Sequence, residues 1–180
     1  MMQGGAERNS GFNGMMGGSR TGMSGNMDAH FIEQMIPHHA DAVLMAEIAL
    51  ERADHQELKQ LAWDIKDAQT KEINEMKEWY KNWFGTSVPG GFSGMMSGGM
   101  MGRGMMGDAT DIAVLEKATP FDKEFIEQMI PHHQMAVMMA QMLLNVTDRP
   151  EMNKLAQDII SSQTSEIEQM REWYRSWYSQ

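Results

Sequence analysis

Residues 31–84 align without a gap onto residues 125–178, at a constant offset of 125 − 31 = 94, and more than half of the aligned positions are identical. "FIEQMIPHHADAVLMAEIAL" faces "FIEQMIPHHQMAVMMAQMLL", and "LAWDIKDAQTKEINEMKEWYKNWF" faces "LAQDIISSQTSEIEQMREWYRSWY". A duplication constrains the fold more than any other feature here, because both copies must take the same local structure and each must cover its apolar surface. Each copy reads as two helices separated by a short polar break, "ADHQ" in the first and "TDRP" in the second. A lone helical hairpin buries little, so the two copies are expected to pack together. The expected fold is all-α: a four-helix bundle formed by two duplicated helical hairpins with pseudo-two-fold symmetry.

The expected hairpin repeats span 28–84 and 119–180. Asp28 suits an N-cap, and "TPFD" offers Thr119 as cap, Pro120 at the first helical position and Asp122 in the first turn. The remaining segments, 1–27 and 85–118, carry "GMMGGSRTGMSGNM" and "SGMMSGGMMGRGMMG". Glycine at this density supports neither helix nor core, so both segments are expected to be flexible. The link between the copies is long enough for several bundle topologies, and the sequence does not choose among them.

On a helix at 100° per residue, Phe31, Met35, His38, Ala42 and Met45 share one stripe, with Ile32, Ile36, His39, Val43, Ala46 and Leu50 beside it. Glu33, Ala40, Glu47 and Glu51 point away. Both histidines therefore face inward, as do His132 and His133 beside Met129 and Met139 in the second copy. The second helix of each copy sets Gln69 and Glu72, or Gln163 and Glu166, within an apolar stripe. Buried polar groups left unpaired cost roughly 1–3 kcal/mol each, so these either satisfy one another or hold a metal. Pro37 and Pro131 remove a backbone hydrogen bond just before the histidine pairs and are expected to kink their helices.

A lone histidine of this kind reads as a hydrogen-bonded core residue. Four in two paired sets, each beside methionine, favour a metal site built from facing helices. Carboxylate di-iron bundles use Glu-x-x-His, and none of the six histidines has that motif. The motif here is Met-x-x-His, Met35 with His38 and Met129 with His132, whose members share a helix face. Thioether with imidazole suits Cu(I) and, by the same softness, Ag(I), and suits Fe, Mg or Ca poorly; zinc held by histidine and Glu72 is the alternative, with the methionines as spectators.

Methionine usage supports this reading. The chain has 22 methionines and no cysteine, so neither a disulfide nor a thiolate site exists. Methionine in a helix stripe is ordinarily core filler, which covers Met45, Met76, Met139 and Met170. That explanation does not reach Met95, Met96, Met100, Met101, Met105 and Met106, which form evenly spaced pairs in a glycine-rich segment able to wrap an ion. Met15, Met16, Met23 and Met27 are their N-terminal counterparts.

"FIEQMIPHHxxAVxMA" followed by "QTxEIxxMxxW" resembles the signature of a ferritin-like domain family formerly of unknown function. A doubled domain of this kind with Gly–Met segments resembles periplasmic copper-binding proteins implicated in copper resistance. The resemblance covers 31–84 and 125–178. It implies a ferritin-like bundle that binds Cu(I) through Met and His in the periplasm or outside the cell. The implied ligands are Met35, His38, His39 and Met45, with Met129, His132, His133 and Met139. His30 and His55 align with Glu124 and Arg149 and are weaker candidates.

The resulting expectation is a non-enzymatic protein that sequesters or carries copper ions and exchanges them with copper-donor or acceptor proteins. A net charge of −10 argues against nucleic acid or an anionic membrane as partner. No apolar run approaches the roughly 20 residues of a membrane span, and the N-terminus "MMQGGAERNS" lacks the regions of a signal peptide. Two other readings remain: a ferritin-like metal oxidase using Glu72, Glu166 and the histidines, and a helical interaction module whose Met/Gly segments are only linkers. The Trp79, Tyr80 and Trp83 cluster, repeated as Trp173, Tyr174 and Trp177, reads as closing the bundle end, with a protein interface or an aromatic contact to a metal as alternatives. The number of chains per assembly is not legible.

Overall fold

The computed structural model describes residues 20–89 and 110–178, with side chains from residue 25 onward. The described residues fold into four long helices, α1 (Arg20–Arg52), α2 (Gln56–Phe84), α4 (Phe121–Leu144) and α5 (Pro150–Tyr178), and a single-turn helix α3 (Ile112–Leu115). Helices α1 and α2 form one hairpin, α4 and α5 the other, and α1 lies against α4. The expected all-α bundle of two duplicated hairpins is therefore present.

Two apolar clusters fill it. One joins the C-terminal half of α1 (Ala42 to Ala49) and Ala53 just beyond it to the N-terminal halves of α2 and α4, with Leu115 of α3 and Met170 of α5. The other joins Phe31, Ile32 and Met35 of α1 to the C-terminal halves of α2 and α4 and the N-terminal half of α5. This grouping makes α1 parallel to α5 and antiparallel to α2 and α4. The order is up–down–down–up, the arrangement of ferritin-like bundles with one long crossover between their hairpins. Between the two clusters lies the level of the paired histidines.

Helix boundaries differ from expectation at three places. First, α1 begins at Arg20, so Asp28 is inside the helix and not at its cap. Helix propagation is far cheaper than nucleation, and the packed part of α1 carries the helix N-terminally through Gly22 and Gly25 despite their poor propensity. Residues 1–19 lie outside the described residues. Second, Pro120 is the N-cap of α4, which starts at Phe121. Third, the end of the linker is docked: Leu115 is fully buried, Asp111 caps α3 through Val114 N, and the Arg52 guanidinium donates to the carbonyls of Leu115, Glu116 and Ala118.

The ends of the bundle are tied across the hairpins. The cap residue of α2, His55, makes no side-chain capping bond. Asp122 of α4 supplies it, accepting from Asp54 N at 3.0 Å, His55 N at 2.9 Å and His55 Nδ1 at 2.6 Å. The His55 ring stacks on Trp177 with centroids 3.7 Å apart. Shifting each residue by 94 places gives the other end: Asp28 is paired with Arg149 at 3.1 Å, and that guanidinium lies 4.1 Å from the centroid of the Trp83 ring. Trp79/Trp83 and Trp173/Trp177 are stacked pairs at opposite ends, as expected of residues that close the bundle.

Asp122→Ala removes a buried acceptor that serves three donors at once. We expect a loss of about 2–4 kcal/mol, read as a lower urea midpoint with an unchanged m-value; an unchanged midpoint would show that the cap contributes nothing.

Candidate metal centre

The duplicated histidines meet at the middle of the bundle. His38 and His132, equivalent residues of the two copies, face each other with ring centroids 3.7 Å apart and an interplanar angle of 32°. The pseudo-two-fold axis passes between them. His39 and His133 follow on the same helices, 6.3 and 6.2 Å from their neighbours' centroids. His39, His132 and His133 are wholly buried and His38 nearly so.

Each outer histidine is tied to a carboxylate of its own hairpin. His39 Nε2 lies 2.7 Å from Glu72 Oε2, and His133 Nε2 lies 2.6 Å from Glu166 Oε2. A carboxylate only accepts, so the imidazole must donate through Nε2. In a neutral ring that leaves Nδ1 with its lone pair, and neither Nδ1 has a hydrogen-bond partner among the described residues. Metal-ligating histidines are oriented in the same way, with the second ring N–H held by a carboxylate while the other nitrogen binds the ion. Buried Gln69 and Gln163 add an Oε1 each that is likewise without a partner. The layer thus holds four buried polar atoms, in two symmetric pairs, without a hydrogen-bond partner among the described residues, an arrangement that costs stability unless something else meets them.

The inner pair is electrostatically suited to stay neutral. Burial, reinforced by the imidazoles of His39 and His133, pushes the His38 pKa from 6.5 down to about 3. Burial, then His38, His133 and His39, pushes His132 well below its ordinary value. Neutral imidazole is the form that offers a lone pair to a metal.

The methionines expected beside the histidines flank this layer. Met35 and Met129, one turn before each pair, are wholly buried, as is Met45. Met129 and Met45 belong to one apolar cluster; Met35 belongs to the other, against which the half-buried Met139 packs. Thioethers therefore lie on both sides of the imidazoles. Met95, Met96, Met100, Met101, Met105 and Met106 lie outside the described residues. His30 is exposed and His55 serves the bundle end.

Glu72 and Glu166, which a metal oxidase would use as ligands, instead hold histidine side chains. Among the described residues no group of three or more His, Asp and Glu is placed to hold a metal ion. The soft donors nearest the layer are imidazoles and the thioethers of Met35, Met45 and Met129.

Residues 28–174 match the family described as a domain of unknown function (DUF305). The fold is similar to CopM in its Cu(I)-bound form, at 51% identity over 84% of this chain and 98% of that one, with a TM-score of 0.72. CopM in an Ag-bound form matches equally. A DUF305 fragment from Deinococcus radiodurans is 30% identical over 81% of this chain and 93% of that one, with a TM-score of 0.65. An uncharacterized protein of Acanthamoeba polyphaga mimivirus is 43% identical over 58 residues; the matched region is 32% of this chain and 38% of that relative's length.

Proposed function

The chain belongs to the DUF305 family, and on that premise we propose that it is a copper-binding protein that sequesters or carries Cu(I), with Ag(I) as a surrogate. The observation that carries this reading is the symmetric layer in which Glu72 and Glu166 orient His39 and His133 and leave both Nδ1 atoms without a partner. His38 and His132, neutral and in contact, supply the remaining imidazoles, and Met35, Met45, Met129 and Met139 the thioethers. CopM, half identical to this chain, is a protein crystallised with Cu(I), Cu(II) and Ag.

The layer is read as a holding site, its histidines buried in the bundle. Ion selectivity follows from softness: neutral imidazole and thioether favour Cu(I) and Ag(I) over hard cations. The Met pairs between Met95 and Met106 would hold further ions, so the protein acts as a buffer contributing to copper resistance. A place outside the cytoplasm accords with ligands that do not form disulfides. It accords also with a candidate secreted DUF305 protein of Streptomyces coelicolor, 27% identical with a TM-score of 0.68, and with the absence among the described residues of any helix long and apolar enough to cross a membrane.

Titration of the apo-protein with Cu(I) against a competing chelator tests the proposal. Several ions are expected for the full chain and fewer for a variant lacking 90–107; no competition with the chelator would overturn it, and equal stoichiometry would confine binding to the bundle. Converting Glu72 and Glu166 to glutamine keeps shape but weakens the hold on the imidazole tautomer. The affinity of the layer should fall about 10–100-fold, while an unchanged affinity would exclude the carboxylates from the site.

A further inference from the structure

Among the described residues the exposed methionines are Met27 of α1, at 41%, and two on α4. Met138 and Met142 of α4 are 48% and 59% exposed, and Met135 and Met139 are half-buried. Counted at 100° per residue, the four fall within an arc of about 100° whose edge, at Met139, adjoins His132. Burial grades along that arc: His132 is at 0%, Met139 and Met135 are intermediate, and Met142 and Met138 stand in solvent. Met135 and Met139, three and seven residues beyond His132 on the same helix, stand between the buried imidazole layer and the exposed pair in this grading.

The duplication supplies a control. The equivalents of Met135, Met138 and Met142 in the first copy are Asp41, Leu44 and Ile48; only Met139 has a methionine partner, Met45. If these side chains were simply core filler, the two copies would place their methionines alike and inside. Three thioethers instead appear on the outer arc of one copy, at i, i+3 and i+7, where neighbouring side chains on a helix meet. Unbranched thioether side chains can gather about one ion without moving the backbone.

We propose that Met135, Met138 and Met142 form a surface site for a monovalent soft cation, from which Met139 passes the ion to the histidine layer. The inference rests on the Cu(I) reading of that layer and adds to it a single entrance on the α4 side. Transfer is ligand exchange: a Cu–S bond to a surface thioether breaks as a bond to Met139, and then to an imidazole nitrogen, forms. Copper remains Cu(I) and no proton moves, since thioether and neutral imidazole bind without deprotonation.

The test uses the full chain with its methionine methyl groups carbon-13 labelled and titrated with Ag(I). The methyl resonances of Met135, Met138 and Met142, assigned by single substitutions to leucine, should shift in the course of loading. A variant combining Met135→Leu, Met138→Leu and Met142→Leu keeps side-chain volume but has no sulfur on the arc. It should take Cu(I) from a chelator complex at least about 10-fold more slowly, because delivery from a tethered site is lost, while the layer still fills. Silent methyl resonances, or an unchanged loading rate in that variant, would overturn the entrance and leave the stripe as apolar surface. Failure of the histidine-layer reading is distinguishable: it would appear as unaltered binding after substitution of His39 and His133, whatever the surface methionines do.

Discussion

His39→Ala combined with His133→Ala should lower the affinity of the buried layer for Cu(I) by more than about 100-fold, since substitution of an outer-shell partner alone costs 10–100-fold and these residues are assigned as ligands. The expectation rests on their position: each offers an Nδ1 lone pair that nothing else among the described residues uses. Removing them leaves Glu72 and Glu166 without their imidazoles, but those carboxylates are 16% and 15% exposed and can be met by water. The helices should therefore stay folded, which far-ultraviolet circular dichroism checks. Competition titration with Ag(I) reads the affinity. His38→Ala with His132→Ala should likewise reduce stoichiometry without unfolding the protein. Unchanged titration in both variants would remove the histidines from the site.

Acid should unfold the apo-protein early. The folded His38 pKa is depressed to about 3 from 6.5, and that of His132 is lowered in the same direction. Below pH 6.5 the unfolded chain takes up protons that the folded chain refuses, so stability falls as pH drops from about 6.5 towards 3. At neutral pH both states are unprotonated and no loss arises. By about pH 5 His38 alone removes on the order of 2 kcal/mol, and His132 adds to it. The urea midpoint should drop by roughly 1 M or more between about pH 7.5 and pH 5. His38→Gln should flatten that dependence, and an equal midpoint at the two pH values would contradict neutral burial of the pair. Bound Cu(I) should protect against acid, since it stabilises only the folded form.

Much of this was legible in the sequence because duplication carries its own check. The inward placement of Met35, His38, His39 and Met45 follows from helical periodicity, and the second copy repeats it. Gln69 and Glu72 stand out as polar residues in an apolar stripe. The pairing of His39 with Glu72, and of His38 with His132, was not legible, because both depend on how the helices are rotated against one another. The same holds for the up–down–down–up order, which the 85–118 link permits without requiring.

The caps misled for a physical reason. Asp28 has the residue type of a helix N-cap and Asp122 is an acid in the first turn of its own helix, but a short carboxylate satisfies any nearby donor. In the folded chain Asp122 caps α2 from the other hairpin, and Asp28 pairs with Arg149. Sequence neighbours compete with spatial ones, and here the spatial ones win. The Met135, Met138 and Met142 stripe was hidden differently: in a chain with 22 methionines, only exposure separates a surface donor from core filler.

X-ray absorption at the copper edge, on the full chain loaded with less than one equivalent of Cu(I), tests the central claim most directly. The layer should fill first and give both nitrogen and sulfur scatterers around copper, with the nitrogen shell lost in the His39→Ala, His133→Ala variant. A shell of sulfur alone in the unaltered protein would place the copper in methionine segments and contradict the histidine layer as its binding site.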